Sequence, residues 1–201
     1  MAVKAILFDF DGVLTIDKTG SFTITNYIAE KSGISLELIK SCYYKYNKRL
    51  LYGELTHEDM WSDFCKDVGC ELDYQILIDS FVSTRLDEKM IGLVKELKKS
   101  YLIGMVTDNK SDRIETILKS HNLEEYFDVV AVSAKVHSGK ENEEIFKYLL
   151  DSLEVEASEC IFIDNTAKNL IVPEKMGMQT ILFDDEGRDF DMFLKKVKTM
   201  I

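Results

Sequence analysis

Asp9 and Asp11, with only Phe10 between them, follow an apolar run (Ala5, Ile6, Leu7, Phe8) that reads as a buried strand. A carboxylate at the end of such a strand is costly unless a cation or hydrogen-bond donors meet it. Two carboxylates two residues apart on an extended chain point the same way, so both can reach one ligand. Further along, Thr107-Asp108-Asn109 and Asp164-Asn165 each close another apolar run, and Lys135 and Lys140 follow a third. Asp9 and Asp164 are hard oxygen ligands suited to Mg²⁺, which prefers octahedral oxygen and keeps several waters. A lysine and a hydroxyl beside them suit a phosphoryl group, whose transfer depends on positioning and on neutralising its equatorial oxygens. One aspartate can accept that group as nucleophile, and its neighbour can act as general acid and base.

These residues need a scaffold that brings distant segments to one edge. The runs 4–9, Leu102 to Thr107, Val129 to Val132, Ile161 to Asp164 and Thr180 to Phe183 read as strands, and helical spacing fills the gaps after residue 85. Short apolar runs alternating with helices imply an α/β fold: a mostly parallel sheet with helices on both faces. Ligands of such a sheet bind outside the carboxyl ends of the strands, where all these groups sit. Residues 16–85 differ. Ile39, Cys42, Tyr43, Tyr46 and Leu50, then Met60, Trp61, Phe64 and Val68, keep helical spacing, and Thr56 with Asp59 supplies a helix start. This helical module is inserted between the first strand and the rest of the sheet. Pro173 falls within a helical pattern, where it kinks the helix or starts a new turn.

With 46% apolar and 30% charged residues among 201, the composition is that of an ordinary globular protein. A net charge of −11 argues against nonspecific nucleic-acid binding. It also means that a phosphate site needs its own local positive charge. No apolar run approaches the roughly 20 residues of a membrane span, and no signal-peptide pattern opens the chain. Cys42, Cys65, Cys70 and Cys160 have neither CxxC spacing nor a partner histidine in register; they read as small buried hydrophobes in a reducing compartment. The expected location is cytoplasmic.

The set DFDGVLT, VTDN, a later lysine and FIDN, in that order, resembles the haloacid dehalogenase-like hydrolase superfamily. The resemblance covers the whole chain. The stretch YFDVVAVSAKVHSGKENEEIFKYLL is similar to the helical-cap branch that holds sugar-phosphate phosphatases and the N-terminal phosphatase domains of epoxide hydrolases. It implies a three-layer, Rossmann-like catalytic core from residues 1–15 and 86–201, with a helical cap at 16–85. It further implies a Mg²⁺-dependent phosphatase acting on a small phosphorylated metabolite, a sugar phosphate or a nucleotide-type monophosphate. Asp9 would become an aspartyl-phosphate, and Asp11 would protonate the leaving group and then activate water. The Asp11 carbonyl with the Asp9 and Asp164 carboxylates would hold the metal. Thr107, helped by Asp108 and Asn109, would bind phosphoryl oxygens, and Lys140 would stand between Asp9 and the phosphate.

Two departures stand out. Asn165 occupies a position where this branch often carries a second aspartate, so it would support the metal only from behind, without charge. Glu141 follows Lys140 where proline is common. A dehalogenase would lack Asp11. A phosphomutase of the β-phosphoglucomutase type would keep both aspartates and need a bisphosphate activator, and a noncatalytic binding protein on the same scaffold is a third alternative. Lys135 reads as a solvated loop lysine, and Asp108 is as well suited to capping the loop before Ser111 as to binding. Gly12 provides a backbone bend and close ligand approach. Tyr43, Tyr44, Tyr46, Tyr52, Trp61 and Phe64 are expected mostly in the core, His57 and His137 exposed, and Asp184, Asp185 and Glu186 in a solvated turn.

Overall fold

The structure, a computed structural model, describes residues 2–201; Met1, first residue of the expected core segment, lies outside the described residues. Strand β1 (Ala5–Phe8) pairs in parallel with β2 (Leu102–Thr107) on one side and β4 (Cys160–Asp164) on the other, Ala5 standing opposite Leu102 and Cys160. Beyond them lie β3 (Val129–Val132) and β5 (Gln179–Leu182), giving the order β3-β2-β1-β4-β5. The order reverses at β1 and β4. Their carboxyl ends therefore open the crevice in which such sheets bind ligands.

Period-two alternation divides β1 between two apolar layers. Ile6 and Phe8 pack with Ile103, Met105, Ile161 and Ile163 under α5 (Glu88–Leu97), α6 (Ser111–Ser120) and α10 (Phe190–Met200). Ala5 and Leu7 pack with Val106 and Phe162 under α8 (Glu144–Leu153), whose Phe146 and Leu149 are fully buried. Strands covered on both faces explain why these runs are apolar without alternation. β2 and β3 match the expected spans, whereas β4 and β5 begin one residue earlier than expected, at Cys160 and Gln179.

Between β1 and α5 the chain forms α1 (Gly20–Ser32), α2 (Leu36–Leu51), α3 (His57–Val68) and α4 (Gln75–Val82). Their buried faces, through Ile24, Ile39, Phe64 and Phe81, are continuous with the Ile6/Phe8 layer. The two connections to the sheet run side by side: Thr15 and Leu86 form an isolated antiparallel bridge, and the Ile16 amide donates to the Arg85 carbonyl at 2.9 Å. α3 starts with a reciprocal cap: Thr56 Oγ1 accepts from the Asp59 amide at 3.1 Å, and Asp59 Oδ2 accepts from the Thr56 amide at 3.0 Å. Such a cap is worth about 1 kcal/mol. Pro173 lies in the first turn of α9 (Ile171–Lys175), after a 3₁₀ turn over Ala167–Leu170, where its missing N–H costs nothing. Among the described residues no helix is long and apolar enough to cross a membrane.

Three expectations are corrected. His57 is fully buried, because its ring bridges two helices: Nε2 lies 2.8 Å from the Tyr43 hydroxyl and Nδ1 2.7 Å from Asp112 Oδ2. Cys70 is exposed, one residue past the Gly69 that ends α3, unlike the other three cysteines. Tyr44 is exposed, whereas Tyr43, Trp61 and Phe64 are buried. His137 is exposed, as expected, on the turn after α7 (Ser133–Val136).

Candidate active site

The ladder between β1 and β4 extends one residue past β1, the Asp9 amide donating to the Ile163 carbonyl at 2.8 Å, so the direction of Asp9 is set by the sheet. Its Oδ1 accepts from the Phe10 amide at 2.7 Å and from Lys140 Nζ at 2.9 Å. Lys140 Nζ also reaches Asp164 Oδ2 at 2.7 Å, so one buried ammonium joins two carboxylates from adjacent strand ends. Asp164 Oδ1 takes the Thr166 amide at 2.7 Å, and Asn169 Nδ2 lies 3.2 and 3.1 Å from the two oxygens. The loop carrying Lys140 is fixed from β2: Asp108 Oδ1 accepts from the Lys140 amide at 2.9 Å. Asp108 thus caps the Lys140 loop, and burial raises its carboxyl above the ordinary range.

Burial alone would lower the Lys140 ammonium, but the charges of Asp9, Asp164 and Asp108 push it above its ordinary value. Burial pushes Asp9 well above the usual carboxylate range; Lys140 pulls against that shift and Asp164 adds to it. Two carboxyl groups share one ammonium, so the cluster has room for more positive charge. Asp9 Oδ2 and the Asp11 carbonyl accept no hydrogen bond from the described residues, and Asp9 lines a cavity of about 310 Å³. No three carboxylate, imidazole or thiolate groups converge among the described residues to hold a metal by themselves. Mg²⁺ does not require that, being held commonly by one or two carboxylates with waters and phosphate oxygens. The Asp9 carboxylate and the Asp11 carbonyl fit it as they stand, and Asp164, whose two oxygens take Lys140, Thr166 and Asn169, would join them on exchanging one of those donors for the ion.

Asp11 lines the same cavity but in a different setting. Arg113 Nη1 donates to its Oδ2 at 2.8 Å and Nη2 to its Oδ1 at 2.9 Å, while Asn109 Nδ2 donates to Oδ2 at 2.7 Å. Arg113 is fully buried, lies over the Phe10 ring, and abuts Gly20, whose added Cβ would fall 2.4 Å from Nη1. Thr107 Oγ1, also on the cavity wall, accepts from Asn109 Nδ2 at 3.3 Å. Asn165 donates through Nδ2 to Asp185 Oδ2 at 2.9 Å, and the bend at Gly12 (φ +83°) exists to pass it, since a Cβ there would meet Nδ2 at 2.3 Å. Asp185 also pairs with Lys18, so the 184–186 turn braces Asn165 from outside. Lys135 is exposed on α7, whereas Lys140 is buried in the cluster.

Sequence reading passed over Arg113, Asn169 and Lys110. Arg113 carries a signal: it shares a helix face with Ile117, and a cation on an apolar face needs a buried carboxylate partner. Asn169, in a short 3₁₀ turn, carries none.

The chain is 26% identical over 222 residues to bifunctional epoxide hydrolase 2 of Sus scrofa, covering 98% of this chain and 39% of that protein. It therefore spans about two-fifths of that relative's length. It is 28% identical over 192 residues to pyrophosphatase PpaX of Bacillus mycoides (strain KBAB4), covering 90% of this chain and 83% of the relative. A HAD family enzyme of Bacteroides thetaiotaomicron, solved as its magnesium complex, has the same fold with a TM-score of 0.78 at 18% identity, over 97% of this chain and 100% of that one. The profile described as haloacid dehalogenase-like hydrolase matches residues 6–183, a span from β1 to just past β5 that takes in every strand and all of α1–α4. With nearly the whole chain matched, this protein belongs to the haloacid dehalogenase-like hydrolase family.

Proposed function

We propose that this hydrolase is a Mg²⁺-dependent phosphatase of small phosphorylated metabolites, working through an aspartyl-phosphate on Asp9. The observation that carries the reading is the Asp9–Lys140–Asp164 cluster, with the unbonded Asp9 Oδ2 at the cavity. Oδ2 is the nucleophile: it forms a bond to phosphorus as the bond to the leaving oxygen breaks, and that oxygen takes the electron pair and the proton carried by the Asp11 carboxyl, which leaves Asp11 as the carboxylate that receives the proton of water in the second step. Lys140 and Thr107 bind the phosphoryl oxygens as charge shifts onto them. The Asp9 and Asp164 carboxylates and the Asp11 carbonyl would hold Mg²⁺, which would supply further positive charge to the phosphoryl group. Water then attacks the aspartyl-phosphate, gives its proton to Asp11, and inorganic phosphate leaves as Asp9 is regenerated.

Asp11 has both oxygens filled by Arg113 and Asn109, so it must turn off the guanidinium before it exchanges a proton. Residues 1–15 and 86–201 act as the catalytic core in this reading, and 16–85 as a cap that limits substrate size. A cavity near the lower end of the roughly 300–1,000 Å³ usual for ligand sites suits a small metabolite. The test is release of phosphate from a panel of small esters with and without Mg²⁺. Asp9→Asn is expected to lower metal-dependent release by about 10³-fold or more. Wild-type turnover equal to that of Asp9→Asn on every ester would end the reading, and activity appearing only with a sugar bisphosphate would replace it with a phosphomutase.

A further inference from the structure

Three cations are buried among the described residues, and two of them have carboxylate partners: Arg113 with Asp11, and Lys140 with Asp9 and Asp164. The third, Lys110, has none within 4 Å. It lies just before α6 and lines the catalytic cavity, 3% exposed, with its ammonium near the face of the Tyr43 ring. Nζ donates one hydrogen bond, to Ser21 Oγ at 2.9 Å, and Ser21 Oγ in turn donates to Asn47 Oδ1 at 2.8 Å. The other two N–H groups of Lys110 have no acceptor among the described residues, and neither has Asn47 Nδ2, on the same cavity wall. A buried ammonium without a counter-ion is costly. An array of donors without acceptors is a site built for oxygen atoms from outside the chain.

We propose that Lys110, with Asn47 and Ser21, forms a subsite for a second anionic group of the substrate, so that the enzyme acts on small phosphate esters that also carry a carboxylate or a second phosphate. The inference rests on the phosphatase reading for its other half, the phosphoryl group at Asp9. Thr107 and Lys110 are three residues apart, which limits the backbone between them to about 11 Å. Both residues line the one cavity with Asp9, so the phosphoryl group and the second anion belong to the same small ligand. Burial and the nearby Arg113 lower the Lys110 ammonium to about 7, and a bound anion would draw it back up. The expectation of a sugar phosphate is thereby narrowed toward phosphorylated acids and bisphosphates.

The experiment compares kcat/KM for 3-phosphoglycerate, glycerol 1,3-bisphosphate and glycerol 3-phosphate, which share a three-carbon skeleton and whose second anion is a carboxylate, a phosphate or absent. Wild type is expected to favour at least one anionic ester over glycerol 3-phosphate by about tenfold or more, mainly through KM. Which of the two it favours separates a carboxylate from a phosphate. Lys110→Met should reduce that preference to within about twofold, and Lys110→Arg should restore part of it. Should Lys110→Met fail to fold, Ser21→Ala should reduce the preference about threefold. An unchanged preference in these variants, or a wild type that favours glycerol 3-phosphate, overturns the proposal. If wild type hydrolyses none of the three, binding to Asp9→Asn with Mg²⁺ is measured by calorimetry. A Lys110-dependent preference for the anionic esters then upholds the subsite although the phosphatase reading has failed, and its absence overturns the subsite too.

Discussion

Asp9 and Asp11 stand two residues apart at the end of one strand, yet their surroundings are opposites. Around Asp9, two carboxyl groups share one ammonium, and one oxygen is left to the cavity. Around Asp11, one carboxylate meets one guanidinium through two hydrogen bonds, and a neighbouring amide donates a third. The first region has more carboxyl groups than cations and an acceptor without a partner, which suits a nucleophile and a metal ligand once a cation draws the Asp9 proton off. The second is balanced in charge and both Asp11 oxygens are bonded, with Arg113 Nε alone buried without a partner, which suits a group held in reserve. In the proposed mechanism, the different tasks of Asp9 and Asp11 match the different donors around them.

The contrast can be broken most severely at Lys140. Lys140→Met leaves Asp9 and Asp164 facing each other without a counter-charge. It should lower the unfolding free energy by about 3–5 kcal/mol in urea titrations without metal, with Mg²⁺ restoring part of the loss. Equal stability of variant and wild type would show that the two carboxyl groups do not both carry charge.

Arg113→Met attacks the balanced region and should cost about 3 kcal/mol by the same measurement. Adding Asp11→Leu should recover about half of that, because the double change removes the stranded carboxylate as well. Fully additive losses would mean that the pair contributes no coupling. Gly12→Ala tests the bend that separates the two environments: a side chain at φ +83°, pressed on Asn165, should cost about 1–2 kcal/mol in a thermal or urea melt.

The smallest expected effect is a slope. Burial lowers the His57 imidazole below its ordinary 6.5, outweighing the Asp112 carboxylate that pulls it up. The unfolded chain then takes up the proton more readily than the folded one. Stability should accordingly fall as pH drops from 6.5 toward the folded-state value, with no such contribution above 6.5. His57→Phe should lack this dependence in urea melts between pH 5 and about 7.5, and an unaltered slope would assign it to other groups.

Much of the scaffold was legible because it is local. Continuous apolar runs mark β2 and β3 residue for residue, and the Thr56–Asp59 cap marks the start of α3. Cys160 and Gln179 hid the first residues of β4 and β5, since neither is a typical strand former and the pairing with neighbours decides. The groups now found around Asp9 ended their strands visibly. The partners of Asp11 did not, because Arg113 lies 102 residues away and joins it only through the sheet order and the packing of α6. His57 was misjudged for a related reason. Its place at a helix start suggested solvent, but Tyr43 and Asp112 come from other helices and enclose it. Nothing in the sequence singles out Lys110, which is distinguished only by the way α1 and α2 close over it with Ser21 and Asn47.

The central position of β1 also has a consequence for biosynthesis. Its neighbours begin only at Leu102 and Cys160, far along the chain. At the roughly 5–20 residues per second of ribosomal elongation, Ala5–Phe8 waits on the order of 5–20 s for its first sheet partner and longer for its second. During that interval a wholly apolar strand is on offer to any other edge in the cell. The helices α1–α5, made before Leu102 and rich in local contacts, are the part of this chain able to shelter it in that interval.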